Sequence, residues 1–264
     1  MTVQVTGFLA QAMAESAVRI ARWRAEGLIS RLRYELPARL GKRDFAAAVR
    51  SPGAVIAEMK RASPSKGAIA PGRAAVAQAT AYERGGAAAI SVLTEERWFH
   101  GSLDDLTAIT RTVAAPVLRK DFMFEPYEFE VAAVCGADAV LLIAACFERL
   151  ELRDLVDEAR SRGLCPLVET HNESEIECAL ATHATVIGVN ARDLQTLAVD
   201  SARALTLLAR IDPNYVRVLE SGIKTRADVD QAVAAGANAV LVGETLMRAT
   251  DPEATVRELT CRPG

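Results

Sequence analysis

The chain has 264 residues, half of them hydrophobic and a quarter charged, with a formal net charge of −3. That composition supports one large, well-cored domain and excludes a disordered chain. The slightly acidic balance excludes a nucleic-acid binder driven by bulk electrostatics, while leaving room for a small anionic ligand met by local basic residues.

Five scattered cysteines, with no C-x-x-C pair, predict reduced and mostly buried thiols, with neither a zinc ribbon nor a disulfide framework. No apolar run approaches the roughly 20 residues of a membrane span, and no signal core opens the sequence. The expectation is a cytoplasmic protein with no membrane or nucleic-acid partner.

In chain order, residues 8–36 alternate Ala, Leu, Ile and Val with Arg and Glu at helical spacing, broken at Gly27 and closed by Pro37. One or two helices are expected, within an N-terminal extension (residues 1–43) packed on the main domain (residues 44–264). Arg19, Arg22, Arg24, Arg31 and Arg33 read as its solvated face. A short helix over 44–50 ends at Ser51-Pro52-Gly53.

From residue 54, apolar strands alternate with amphipathic helices. The predicted strands are Ala54–Lys60, Ala88–Leu93, Pro116–Lys120, Asp138–Ala144, Cys165–Glu169, Thr185–Asn190, Val216–Glu220 and Asn238–Val242. Helices are predicted near 73–84, 103–113, 126–134, 148–161, 173–182, 200–210, 225–235 and 252–260, with a short turn near 244–248 as a candidate for the short extra helix of a phosphate site. Strict alternation calls for parallel strands joined by right-handed crossovers. An internal repeat supports this: Gly86-Ala87-Ala88-Ala89, Gly136-Ala137-Asp138-Ala139 and Gly236-Ala237-Asn238-Ala239 each lead into a strand. Eight βα units predict an α/β fold of the (β/α)8 TIM-barrel type with an N-terminal helical extension. An open doubly wound sheet would place Gly-x-Gly-x-x-Gly after the first strand, where Ser-Pro-Ser-Lys-Gly stands instead.

Barrel chemistry sits at the C-terminal ends of strands. There the first strand carries Glu58 and Lys60, two residues apart and so on one face. The third ends in Lys120-Asp121, the fifth in Glu169, the sixth in Asn190 and Arg192, the seventh in Glu220-Ser221-Gly222, and the eighth in Gly243-Glu244. Glu95 and Asp121 read equally well as structural ion-pair partners, but the convergence of Glu58, Lys60, Lys120, Glu169, Asn190 and Glu220 is unexplained by packing. Ser221, Gly222, Gly243 and Glu244, with Ser63 and Arg192, offer the backbone donors and positive charge of a phosphate cradle. His171, just past Glu169, is within reach of the site, but the first reading is a loop histidine.

These stretches resemble the indole-3-glycerol-phosphate synthase family over about residues 44–260. The carrying motifs are Ile56-Ala57-Glu58-Met59-Lys60-Arg61-Ala62-Ser63-Pro64-Ser65-Lys66-Gly67, Leu118-Arg119-Lys120-Asp121-Phe122, and Ile187-Gly188-Val189-Asn190-Ala191-Arg192. The resemblance implies a lyase of tryptophan biosynthesis acting on the small phosphorylated substrate 1-(2-carboxyphenylamino)-1-deoxyribulose 5-phosphate, with loss of carbon dioxide and water. It implies no cofactor, no metal, and a monomer or homodimer. It assigns Lys120 as the catalytic acid and Lys60 to the anthranilate carboxylate, with a further role as an acid when water leaves. Glu58 and Glu169 become the base for a ring proton or the groups that keep the lysines charged, and Asn190 and Glu220 bind sugar hydroxyls. Ser63, Arg192, Ser221, Gly222, Gly243 and Glu244 fall on the phosphate positions, Glu244 through its backbone N–H. Phe99, Phe122, Leu141 and Leu194 fall around the substrate's aromatic ring.

The chain departs from the family's pattern at Glu128, where Gln is frequent, and over Ala68–Gly72, which is less polar than a mobile active-site loop. A phosphoribosylanthranilate isomerase would lack the strand-1 Glu-x-Lys and the strand-3 Lys, and both are present. A non-catalytic paralogue would show erosion at Lys60, Lys120 or Glu169, and none is eroded. A paralogue serving specialised metabolism is distinguished by genomic neighbourhood rather than by residues.

Overall fold

A computed structural model describes residues 7–36 and 41–260. The expected stop at Pro37 and the thiol of Cys261 lie outside the described residues.

Eight parallel strands close into a barrel: β1 (Ala54–Met59), β2 (Ala89–Leu93), β3 (Val117–Lys120), β4 (Ala139–Ile143), β5 (Cys165–Thr170), β6 (Val186–Asn190), β7 (Val216–Glu220) and β8 (Ala239–Val242). Each pairs with its sequence neighbours, and β8 returns to β1 with Ala54 opposite Ala239. The strands are nearly continuous apolar runs because both faces are covered, by helices outside and by the packed interior within. Gly86, Gly136 and Gly236 take φ of 94°, 88° and 100°. The repeat seen in the sequence is thus a left-handed turn that reverses the chain from helix into strand. Helix starts are set by side-chain caps: Ser102, Asn172 and Thr225 each accept from the N–H three residues on.

Two helices precede the barrel, α1 (Gly7–Ala25) and α2 (Leu28–Glu35), joined at Gly27 with φ of 61°. Leu9, Ala12, Ser16, Ile20 and Trp23 recur at three- and four-residue spacing and are the buried stripe of α1. The solvated arginine face expected here is corrected at Arg19. Its side chain is only 9% exposed and bonds Asp121 Oδ1 at 2.8 Å, because the stripe that docks α1 carries Arg19 beside Ser16 and Ile20.

Two further departures are local. A small hairpin pairs Ala62–Ser63 with Gly67–Ala68 after β1, where only a turn was expected, and Ala144–Cys146 form a 3-10 turn after β4. Cys135 and Cys146 are buried free thiols as expected, whereas Cys165 and Cys178 are only partly buried. Among the described residues, no helix is long and apolar enough to cross a membrane.

Candidate active site

Inside a (β/α)8 barrel, side chains stack in layers of four drawn from alternate strands. At the C-terminal mouth the odd strands supply Glu58 (β1), Lys120 (β3), Glu169 (β5) and Glu220 (β7), so this layer is wholly charged. Among them the even strands present Ser91, Leu141, Gly188 and Leu241. A layer of three carboxylates and one ammonium is costly unless its members bond one another.

They do. Lys120 Nζ sits between two carboxylates, 3.3 Å from Glu169 Oε2 and in a short ion pair with Glu220 Oε2. Lys60, one turn of the strand above Glu58, binds Glu58 Oε1 at 2.8 Å, and Ser91 Oγ donates to Glu58 Oε2 at 3.3 Å. Asn190 Nδ2 donates to Glu169 Oε1 at 3.1 Å, while Asn190 Oδ1 accepts from the Arg192 N–H at 2.9 Å.

The electrostatics follow from these contacts. Burial alone would raise the pKa of Glu58, but the Lys60 and Lys120 ammoniums outweigh it and hold the carboxyl below its usual range. Burial works against a charged Lys120, yet Glu220, Glu169 and Glu58 together push its pKa well above an ordinary lysine. The two flanking acids part company. Burial pushes both up, but Glu169 gains Lys120, His171 and Asn190 and falls far below the usual value, whereas Glu220 stays raised beside the Glu169 charge. Glu220 Oε1 is buried with no hydrogen-bond partner among the described residues.

Two glycines make room for this layer. A Cβ on Gly188 would collide with Glu220 Oε1, and one on Gly243 would lie 2.6 Å from Glu58 Oε1 and 3.0 Å from Lys60 Nζ. Gly243 was expected beside a phosphate; it also lets the Glu58–Lys60 pair stand where it does. Gly188 was not singled out in advance, although a glycine in mid-strand signals close approach.

The charged layer floors a cavity of about 900 Å³. All sixteen residues selected from the sequence line it. At its apolar side Phe99 and Phe122 lie with ring centroids 6.1 Å apart, near Leu141 and Leu194. Phe8 of α1 joins them, 5.7 Å from Phe122 and 5.2 Å from Trp98, a contribution no motif announced. At the opposite side, Ser221 and Gly222 take φ of 67° and 83° in succession. A Cβ on Gly222 would meet Ser201 Oγ at 2.7 Å, which explains the glycine at the second of these positions. Gly243 then opens the short helix Glu244–Arg248, whose first N–H groups have no partner within the helix. The Glu244 carboxylate is paired with Arg248 at 3.1 Å. Arg192 Nη1 donates to Leu197 O at 2.8 Å and so is tied to its own loop.

The hairpin after β1 is anchored by Arg61, whose guanidinium forks onto Asp105 with Nη2–Oδ1 at 3.0 Å. Glu95 accepts from the Arg97, Trp98 and Phe99 N–H groups and so shapes the loop after β2. Asp121 faces the other way, out of the barrel, and Glu128 lies with it against α1. Glu128 accepts from Ser16 Oγ at 3.2 Å and from the Phe124 N–H at 2.8 Å, and does not reach the cavity. The reading of His171 as an ordinary loop histidine is corrected: it lies 3.2 Å from Glu169 Oε1 through Nε2. Its position two residues after Glu169, on the same face of the extended chain, was the available signal. Among the described residues, no group of three or more His, Cys, Asp or Glu side chains is arranged to hold a metal ion.

A closed eight-stranded barrel with an acid–base layer at its C-terminal mouth, an apolar wall on one side and exposed backbone donors on the other defines a (β/α)8-barrel enzyme. Solved structures support the fold: 3-hexulose-6-phosphate synthase from Salmonella typhimurium matches with a TM-score of 0.64 at 15% identity, over 78% of this chain and 96% of that one. Thiamine phosphate pyrophosphorylase from Pyrococcus furiosus matches at 0.59 and 15%, over 80% and 95%. Sequence relatives narrow the class. Indole-3-glycerol phosphate synthases of Mycobacterium avium and Mycobacteroides abscessus are 50% and 49% identical over 217 residues, which is 82% of this chain and 80% of each relative. The family model for indole-3-glycerol phosphate synthase matches residues 9–259. The chain belongs to the indole-3-glycerol phosphate synthase family.

Proposed function

We propose that this protein is an indole-3-glycerol-phosphate synthase of tryptophan biosynthesis, a carboxy-lyase acting in the cytoplasm, with residues 44–264 as the catalytic unit and residues 1–43 as an extension upon it. The observation that carries the reading is Lys120 held between two carboxylates at the centre of a barrel mouth whose one side is aromatic and whose other side is rich in backbone donors.

The reaction fits this layout. The ring carbon of the anthranilate moiety that bears the carboxylate attacks the ribulose carbonyl; Lys120 donates a proton to the carbonyl oxygen as the carbon–carbon bond forms. Carbon dioxide then leaves, and the electrons of its bond restore the aromatic ring. Loss of the new hydroxyl as water, with a proton removed from the adjacent carbon of the five-membered ring, completes the indole. Lys60 holds the carboxylate and then serves as an acid for the departing water, and Glu58 or Glu169 takes the ring proton. Asn190 and Glu220 hold sugar hydroxyls, and Phe99, Phe122, Leu141 and Leu194 enclose the aromatic ring. Ser63, Arg192, Ser221, Gly222, Gly243 and the Glu244 N–H receive the phosphate. A lysine gripped by two carboxylates within reach of the charge of a third is a reluctant acid, so substrate must loosen that grip before the proton moves. The separation of Glu169 and Glu220 into a strongly ionised and a readily protonated acid supplies the contrast acid–base chemistry needs.

Purified protein should convert the anthranilate-derived ribulose phosphate to a fluorescent indole product without added metal. Lys120→Ala should lower kcat by about 10³-fold or more, at the upper range for a general acid, while phosphate-dependent binding largely survives. Undiminished turnover in that variant would refute the assignment.

A further inference from the structure

His171 belongs to neither the sugar, the ring nor the phosphate groups, yet a carboxylate faces each of its ring nitrogens. Nε2 lies 3.2 Å from Glu169 Oε1 and Nδ1 lies 3.0 Å from Glu175 Oε2. Its side chain is 11% exposed. The far carboxylate is itself immobilised: Glu175 accepts from the His171 N–H at 2.7 Å and from Asn172 Nδ2, while Asn172 caps the helix Glu173–Leu180 that carries Glu175. Arg203 donates to the His171 carbonyl at 2.9 Å, fixing the backbone from the next helix. A histidine with a carboxylate beside each nitrogen is favoured as the imidazolium: Nδ1 is hydrogen-bonded to Glu175, and Nε2 faces Glu169 at ion-pair distance, outside hydrogen-bond geometry.

The carboxylates around Lys120 are unequally supplied with donors. Glu169 accepts from Lys120 on one oxygen and from Asn190 on the other, with the His171 charge 3.2 Å from that second oxygen; among the described residues Glu220 is bonded by Lys120 through Oε2, and its Oε1 has no partner. We propose that His171 is a positioning residue of the acid–base layer: clasped between Glu175 and Glu169, it fixes Glu169 as the ionised partner of Lys120 and leaves Glu220 as the carboxyl that takes up a proton. This role rests on the function proposed above and deepens it. The other charges that bear on the clasp are Lys120, Glu220 and, in the next loop, Asp193, whose carboxylate is held low chiefly by the Thr196 and Gln195 N–H groups, with the His171 charge a smaller contribution. Burial disfavours a charged His171, but Glu169 and Glu175 outweigh it and raise it to about 10, consistent with the clasp.

The test uses His171→Asn and His171→Ala, with Glu175→Gln as a variant that weakens the clasp from its far end and leaves the histidine in place. The acid limb of kcat against pH should move up by one unit or more in His171→Asn and His171→Ala, and by less in Glu175→Gln. A merely structural histidine would scale kcat down equally at all pH values, and superposable normalised profiles would overturn the proposal. Independently of turnover, histidine ring NMR should show His171 protonated through pH 8 in the wild type, its signal assigned by its loss in His171→Asn. A wild-type His171 that titrates below pH 7, or a His171 titration unmoved by Glu169→Gln, overturns the clasp itself. Intact protonation through pH 8 in a protein that does not turn the substrate over at all would mean that the proposed function fails and takes this catalytic role with it.

Discussion

Strand β3 separates two buried charge clusters that face opposite ways. Lys120 points into the mouth with Glu169, Glu220 and Glu58; its neighbours Arg119 and Asp121 point outward, beneath α1, with Arg19, Thr94 and Glu128. In the outer cluster the Asp121 carboxylate is saturated, although Arg19 Nε is buried without a partner among the described residues. Asp121 receives Arg19 at 2.8 Å, Arg119 at 2.9 Å, Thr94 Oγ1 at 2.6 Å and the Phe122 N–H at 2.9 Å. Its pKa is accordingly lowered to about 2 despite burial, through Arg19 and Arg119. The inner cluster is left incomplete, with Glu220 Oε1 unbonded and a cavity above. Where a carboxylate is filled by fixed donors and shut off from the cavity, charge holds elements together; where a carboxylate's bonding is unfinished and open to a ligand, charge is available for chemistry.

The largest effect that would break this contrast lies outside. Asp121→Asn leaves two buried guanidiniums without their carboxylate, and should cost about 3–5 kcal/mol of stability. It should be read by denaturant unfolding, with kcat of the folded fraction changed much less than stability. A collapse of kcat with unchanged stability would show the outer cluster to be part of the chemistry. Inside, Gly188→Ala drives a methyl into Glu220 Oε1 and should lower kcat by about 10- to 100-fold, equivalent to the 1–3 kcal/mol of an overpacked site. Unfolding should register less than this, and an unaltered kcat would mean that the place of Glu220 does not matter.

The smallest effect concerns Glu128, whose pKa burial raises to about 7 even with Arg119 and Arg19 nearby. Its folded value lies above its unfolded one, so the folded state binds the extra proton. Its contribution is therefore favourable at low pH and is lost as pH rises from about 4.5 through 7. Asp121 has the opposite sign: its contribution is present above about pH 4 and lost as pH falls towards 2. Glu128→Gln should then gain roughly 1–2 kcal/mol over the wild type at pH 8 and nothing at pH 4, measured by thermal unfolding at both. An equal difference at both pH values would remove the titration from the account.

Much of the fold was legible because strand period and helix period alternate without interruption from residue 54, and because glycine marks three of the helix-to-strand turns. The catalytic candidates were legible for a related reason: they are polar residues ending apolar strands, where only a function justifies them. What stayed hidden involves partners distant in sequence. Arg19 looked solvated because nothing in a lone amphipathic helix announces that Asp121, 102 residues away, will meet it. His171 looked incidental until the register of β5 placed it behind Glu169, and Phe8 lies in α1 beyond any motif. Gly188 was visible only as a small residue, because the oxygen it accommodates comes from the adjacent strand.

In the closed ring β3 and β7 are four strands apart in either direction, so the Lys120–Glu220 pair is a spoke across the full diameter of the mouth. The backbone ladders fix the rim, and this single side-chain contact braces it internally. Anything that binds at the hub must unfasten the spoke and take over both of its ends. A ligand with a hydrogen-bond acceptor for the ammonium and a hydroxyl for the carboxylate does so with the diameter unchanged; a ligand with only one of them leaves the far side of the rim unbraced. Selectivity is then partly mechanical, since the barrel can sense whether what enters spans it.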